Sequence, residues 1–410
     1  MAAHVSFPKE KIKVLLLEGI HPIAVQKLHE AGYPTVELLK PALSEGELLK
    51  ALPKVHILGI RSKTQLTKKV LEAAPHLLSV GCFCIGTNQV ELDAAAHAGV
   101  VVFNAPFSNT RSVAELTLAE VVMLARKAAH KSMRLHQGEW DKSAVGCYEV
   151  RNKTIGIIGY GHIGPQVGLL AESFGMKVVF YDIMQKLALG NAEQLSSLDA
   201  LLEISDFVTL HVPETTETKN MIAAKELGRM KKGSYLLNLS RGSTVDIEAL
   251  AAALKSKHLA GAGLDVYPHE PDSNTERFSS PVCGLDNVIL TPHIGGSTEE
   301  AQRNIAIEVA HKLARYSDTG STTGAVNFPE VELPILKESH RILNIHHNVP
   351  GVLRDITRIV AEQGGNIRSQ YLGTHAEIGY LIMDVEQRIA REVKEGIEKL
   401  ETSIKTRVLF

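Results

Sequence analysis

Thr154-Ile-Gly-Ile-Ile-Gly159-Tyr-Gly161-His-Ile-Gly164 decides the fold, because an apolar run passes directly into three spaced glycines. Thr154 to Ile158 reads as a buried strand, and the glycine turn opens a helix through Phe174. Gly159 would make the tight turn, Gly161 would admit a pyrophosphate, and Gly164 would let helix and strand pack closely. The unpaired N–H groups at the helix start suit the phosphates. Asp182 ends the next strand, eighteen residues after Gly164, where a carboxylate accepts from the hydroxyls of an adenosine ribose. It would repel a 2′-phosphate, and neither Ile183 nor Met184 supplies a cation. The expected cofactor is NAD rather than NADP.

Outward from this motif, apolar runs recur at Val178–Tyr181, Phe207–Leu210, Tyr235–Asn238, Ala262–Asp265 and Val288–Leu290. Six such strands with helical stretches between most of them predict a doubly wound parallel sheet. A second α/β series precedes it, at Lys13–Leu17, His56–Ile60, Leu77–Val80 and Val100–Phe103, with a helix from His21 stopping at Gly32. Ser112-Val-Ala-Glu115 resembles a capping box opening a connector helix from Leu116 to about His136. After a helical stretch from Thr298 to Tyr316, Ser317-Asp-Thr-Gly-Ser-Thr-Thr-Gly324 has the composition of a linker. The last segment reads strand (Arg341–His346), helix, strand (Ile367–Leu372), strand (Tyr380–Glu386), helix, strand, the βαββαβ order of a ferredoxin-like unit. The fold class is thus α/β: two Rossmann-like domains and a small regulatory one. The expected boundaries are 1–107 with 296–335, then 108–295, then 336–410.

A length of 410 residues exceeds one core, in keeping with several domains. A net charge of -2 offers neither the basic stripe of a nucleic-acid binder nor a polybasic membrane anchor. No run approaches the ~18 apolar residues of a spanning helix, and the N-terminus has no signal-peptide core. Cys82 and Cys84 would share one face of a strand as buried thiols. Four cysteines in so long a chain suggest a reducing compartment, so the expected location is cytoplasmic. No metal site is expected.

Three strings lie where later strands end: Leu239-Ser-Arg241-Gly, Asp265-Val-Tyr-Pro-His-Glu270-Pro, and Thr291-Pro-His293-Ile-Gly295-Gly296. Ligands of open α/β sheets bind beyond those ends. Oxidising a secondary alcohol needs a base, for which His293 has a suitable ordinary pKa of about 6.5. It needs a cation for the substrate carboxylate, for which Arg241 offers a planar two-point grip. It needs a partner that orients the base and favours its charged form, for which Glu270 is placed.

These strings, with the glycine turn, resemble those of the D-2-hydroxyacid dehydrogenases. The resemblance implies that Arg241, Glu270 and His293 are the catalytic set. It implies that Gly159, Gly161, His162, Ile163, Gly164, Asp182, Val212, Pro213, Leu239, Ser240, Arg241, Asp265, His293, Gly295 and Gly296 surround NAD. Gly59-Ile-Arg61-Ser62, Val80 to Asn88 and Asn104 to Glu115 resemble the members acting on 3-phosphoglycerate at the entry to serine synthesis. Arg61, Ser62, Asn109 and Gln302 are then expected at the substrate, with Lys142 reaching a neighbouring subunit's site. The tail resembles an ACT domain, which implies L-serine as effector at His346, Asn348 and Asn366, and a homo-oligomer, a tetramer. Reduction of 2-oxoglutarate is the alternative within the class, and an NAD-sensing corepressor-like protein is the alternative outside it. Pro334 to His340 lacks the glycines of a hinge.

Overall fold

The computed structural model describes residues 7–271, 275–336 and 338–409. The chain divides into two compact units, 1–108 with 302–410, and 109–301.

In the first unit β1 (Val14–Leu16), β2 (Val36–Leu38), β3 (Ile57–Ile60), β4 (Ser79–Cys82) and β5 (Val101–Phe103) form a parallel sheet, ordered β2-β1-β3-β4-β5. The short β2 has no continuous apolar signature, because it is an edge strand and half-exposed. Cys82 closes β4 and is buried, but Cys84 lies past the strand and is half-exposed, so the two thiols do not share a strand face.

In the second unit β6 (Thr154–Ile158), β7 (Lys177–Tyr181), β8 (Glu193–Gln194), β9 (Phe207–Leu210), β10 (Tyr235–Asn238), β11 (Gly261–Leu264) and β12 (Val288–Leu290) run in the order β12-β11-β10-β9-β6-β7-β8. Every pairing is parallel, so the chain reverses its winding at β6, and the strands' carboxyl ends face one edge. The expected capping box does not cap. The helix starts earlier, at Thr110, because Ser112 Oγ bonds Thr298 Oγ1 at 2.8 Å and Glu115 pairs with Arg111 Nε at 2.6 Å. It is also two helices, Thr110–Arg126 and Ala128–His136, broken at Lys127, whose φ is +51°. The break coincides with Tyr148 N–H donating to the Ala125 carbonyl at 2.8 Å, a bond that diverts it from a continuing helix.

The last four strands, β13 (Ser339–His347), β14 (Ile367–Thr374), β15 (Ile378–Glu386) and β16 (Ser403–Leu409), form an antiparallel sheet ordered β14-β15-β13-β16. Its face does not stand apart from the first unit. Leu343, Ile345, Tyr380 and Ile382 share one core with Phe103, Val309, Leu313, Tyr316 and Phe328. The segment expected as a linker is therefore packed: the helix Glu299–Thr319 runs into it, and Ser321 and Thr322 are buried. Small side chains permit that close approach. Thr322 Oγ1 donates to Pro329 O at 2.7 Å and accepts from Val331 N at 2.9 Å, and Tyr380 Oη donates to Gly320 O at 2.6 Å.

Arg341 fastens this junction. Its guanidinium and Asp384 are fully buried, joined by Nε–Oδ1 at 2.7 Å and Nη2–Oδ2 at 2.9 Å. The remaining donors go to the carbonyls of Thr319, Leu333 and Pro334 at 3.1, 2.8 and 2.7 Å. Removing one member of a buried pair leaves an uncompensated charge, at about 3–5 kcal/mol. Asp384→Ala is expected to lower unfolding stability by about that amount. Urea unfolding checks it, and a loss below ~1 kcal/mol would mean that water reaches the guanidinium.

Candidate active site

The glycine turn is built as its residues require. Gly159 has φ +90°, and a Cβ there would meet the His211 carbonyl at 2.5 Å. A Cβ on Gly164 would meet the Gly159 carbonyl at 2.5 Å, which seats the helix Ile163–Ser173 against β6. At Gly161 a Cβ would find nothing within 4 Å, so the backbone stands open to an incoming phosphate. Asp182 ties the next strand end to this turn: Oδ2 accepts from Tyr160 N at 2.8 Å and Oδ1 from Met184 N at 2.9 Å. Val212 and Pro213 follow β9 beside the turn. An open backbone, a helix start and a fixed carboxylate fit a dinucleotide.

The three strings meet in the second unit. Arg241 Nη1 donates to Ser240 O at 2.7 Å, and Asn238 Nδ2 holds the Arg241 carbonyl at 2.9 Å. Gly242 lies so close to the Tyr267 backbone that any side chain would collide with it, which brings the 239–242 and 265–270 loops together. Leu239 and Ser240 are buried beneath them.

His293 Nδ1 and Glu270 Oε2 lie 2.7 Å apart, and Glu270 Oε1 accepts from Tyr267 N at 3.1 Å. The carboxylate fixes the ring, leaving Nε2 as the nitrogen able to exchange a proton. The hydrogen bond to Glu270, its charge and the charge of Asp265 raise the His293 pKa, against burial and Arg241. Burial pushes Glu270 up, but His293, the Tyr267 N–H and Arg241 outweigh it and hold the carboxyl low. His293 and Glu270 border a cleft of about 590 Å³ with Tyr267, Thr291, Pro292 and Ile294.

Asp265, expected only at the cofactor, also holds this loop. It accepts from Thr291 Oγ1 at 2.6 Å and from the N–H groups of Ile294 and Gly295 at 2.8 Å each. His293 itself has φ +54°, a conformation that surrounding structure must impose on a histidine. Gly296 lies against Asn109, which precedes the helix Thr110–Arg126.

In the first unit Arg61 and Ser62 follow β3, and Gln302 lies in the helix Glu299–Thr319. A residue that the sequence did not flag holds the first loop. Glu18 accepts from the N–H groups of Arg61, Lys63 and Thr64 at 3.0, 3.0 and 2.9 Å, while Gln89 Nε2 donates to Arg61 O at 2.6 Å. The Arg61 guanidinium makes no ion pair among the described residues. Lys142 is exposed in the second unit.

The effector candidates separate along the antiparallel sheet. His346 is buried at the end of β13 opposite Gly379, with Nδ1 2.9 Å from Asn344 Oδ1, while His347 is exposed. Asn348 Nδ2 donates to His375 O at 2.9 Å. Asn366 precedes Ile367, which pairs with Val385, at the other end of the same sheet. One copy therefore does not gather the three.

Residues 118–295 match the D-isomer specific 2-hydroxyacid dehydrogenase, NAD binding domain, and residues 342–405 match the AHAS small subunit-like ACT domain. The chain is 54% identical over 410 residues to a D-3-phosphoglycerate dehydrogenase of Escherichia coli, covering 100% of both. It is 51% identical to one of Dictyostelium discoideum, covering 99% of each. This chain belongs to the D-isomer specific 2-hydroxyacid dehydrogenase family. A solved D-lactate dehydrogenase of Aquifex aeolicus, complexed with NAD and lactic acid, is similar at TM-score 0.66 and 27% identity, over 78% of this chain and 100% of that one. The chain is accordingly an NAD-dependent dehydrogenase with a C-terminal ACT-like module.

With His293 as the base we propose, oxidation needs its neutral form, and the rate is expected to rise as pH climbs through the raised pKa. Glu270→Gln removes the cause of that rise, and the acid limb of the oxidation profile is expected to move to lower pH. His293→Ala is expected to lower kcat by roughly 10²–10⁴, with NADH affinity nearly unchanged. Steady-state pH profiles and NADH titration read both. An acid limb unmoved by Glu270→Gln would sever the pair from proton transfer.

Proposed function

We propose that this chain oxidises 3-phospho-D-glycerate to 3-phosphohydroxypyruvate while NAD is reduced to NADH, the first step of L-serine biosynthesis. The observation that carries the substrate is the Arg61 loop. Its backbone is fixed by Glu18 and Gln89, and among the described residues its guanidinium has no carboxylate partner. A planar, permanently charged group held that way suits a phosphate. The full-length relatives named D-3-phosphoglycerate dehydrogenase support the same substrate.

NAD, when bound, supplies the nicotinamide that accepts a hydride from the substrate's C2. The residues to hold it are the Gly159–Gly164 turn, Asp182, Val212, Pro213, Leu239, Ser240, Asp265, Gly295 and Gly296. Arg241 grips the substrate carboxylate, and Ser62, Asn109 and Gln302 complete the substrate contacts with Arg61. His293 Nε2 removes the hydroxyl proton as the carbonyl forms, and Glu270 stabilises the resulting imidazolium. In reverse the imidazolium returns that proton to the alkoxide. The location we propose is the cytoplasm; among the described residues no helix is long and apolar enough to cross a membrane.

For the ACT-like module we propose L-serine as the ligand, held between two copies, His346 and Asn348 from one and Asn366 from the other. Their separation within one sheet supports a shared site, and hence a homo-oligomer, with a tetramer as its expected form.

Purified protein is expected to form NADH with 3-phosphoglycerate and NAD, and to discriminate strongly against NADP because of Asp182. Arg61→Ala should raise KM for phosphoglycerate roughly 10- to 150-fold, the worth of a charge-assisted contact of about 1.5–3 kcal/mol. A substrate without the phosphate, such as 2-oxoglutarate in the reductive direction, should be less affected. Equal losses on both would make Arg61 structural, and turnover of 2-oxoglutarate alone would transfer the chain to the rival reaction.

Serine is expected to inhibit, and Asn348→Ala and Asn366→Ala should each raise its half-inhibitory concentration about tenfold or more. Inhibition that competed with phosphoglycerate and ignored both substitutions would put serine in the active site instead.

A further inference from the structure

Glu120 is a carboxyl that the mechanism above does not use. It lies on the helix Thr110–Arg126, is 1% exposed, and neither of its oxygens has a hydrogen-bond partner among the described residues. The helix packs on β11, where Gly263 leaves the space Glu120 occupies: any side chain there would collide with Oε2. Two residues further on, past Leu264, stands Asp265, whose three hydrogen bonds hold the loop carrying His293.

We infer that Glu120 is a positioning residue: in its neutral form it leaves Asp265 its grip on the His293 loop. Ionised, it would put a second negative charge into the same interior, and the Asp265 clamp would loosen. The inference rests on His293 as the proton-transfer residue, and not on which hydroxy acid is bound.

The chemistry around Glu120 agrees. Burial, and then the charge of Asp265, raise its pKa from the ordinary 4.5 to about 8. The ionisable groups facing it are Asp265 and the phenol of Tyr267, on which Cys283 and Glu270 also act. Tyr267 Oη donates to the carbonyls of Leu264 and Thr291 at 2.9 and 3.0 Å, so the same phenol braces the strand end and the His293 loop. No cation among these neighbours would neutralise an ionised Glu120.

The linkage has a definite sign. Below pH 4.5 native and unfolded chains are both protonated at this position. As pH rises towards 8 the unfolded chain ionises and the native one does not, so stability falls across that window. Above it both are ionised, and the deficit stays constant.

Two measurements on the full-length protein test this, each comparing the native chain with Glu120→Gln, which keeps the shape and cannot ionise. In the oxidative direction, native kcat divided by the variant's kcat at the same pH is expected to fall about fivefold or more between about pH 7 and pH 9.5, a ratio in which the rise from deprotonating His293 cancels. A ratio that changes less than about twofold over that range overturns the inference. Thermal unfolding without substrate gives the second reading. The Tm of Glu120→Gln relative to native should climb between about pH 5 and pH 8 and then level off. A difference independent of pH would reduce Glu120 to ordinary packing, even if the variant had lost its activity for another reason.

Discussion

Asp265 carries more of this site than its place at a strand end suggests. Its carboxylate takes the Thr291 hydroxyl and two consecutive backbone N–H groups, and those bonds hold His293 at a positive φ. A histidine does not adopt that conformation cheaply, at about 1–3 kcal/mol, so the surrounding bonds must impose it. With the backbone turned that way, Nδ1 meets Glu270 at 2.7 Å. The raised pKa of His293 follows first from that contact. Removing Asp265 would thus disturb acid–base chemistry through geometry as well as charge.

The sheet explains why three distant strings converge. All seven strands of the second unit are parallel, so every carboxyl end opens onto one edge. The winding reverses at β6, and the glycine turn follows that strand directly. Gly159 and Gly242 both bring backbone segments closer than any side chain would allow, one toward His211 and the other toward Tyr267. Glycine closes the turn after β6 in one case and joins the 239–242 and 265–270 loops in the other.

Much of this was legible in the sequence, for physical reasons. Buried parallel strands are continuous apolar runs, and the glycine turn has spacing that few other structures require. Arg241, Glu270 and His293 stood out because each follows a strand end. What escaped notice depends on contacts between distant residues. Glu18 anchors the Arg61 loop through backbone N–H groups, which leave no side-chain pattern. Glu120 sits in a helix whose period is unbroken, so its burial shows only once Gly263 is seen opposite. Ser321 and Thr322 looked like a linker because small polar residues usually stay in water, whereas here they let two sheets share a core.

That shared core bounds how a ligand at the antiparallel sheet can act. Lifting the sheet from the helix Glu299–Thr319 would expose Leu343, Tyr380 and Phe328 together. It would also strip Arg341 of the carbonyls of Thr319, Leu333 and Pro334 while it stays paired to Asp384. Each buried donor stripped of its acceptor costs about 1–3 kcal/mol, and three such acceptors would be lost together. The coupling between an effector and a distant site is typically about 1–3 kcal/mol. A ligand shifts an equilibrium only by its differential affinity for the two states. The smaller quantity does not drive the larger, so the contacts of Arg341 with Thr319, Leu333 and Pro334 act as a clamp. The absence of glycine between Pro334 and His340 is the sequence's expression of the same constraint.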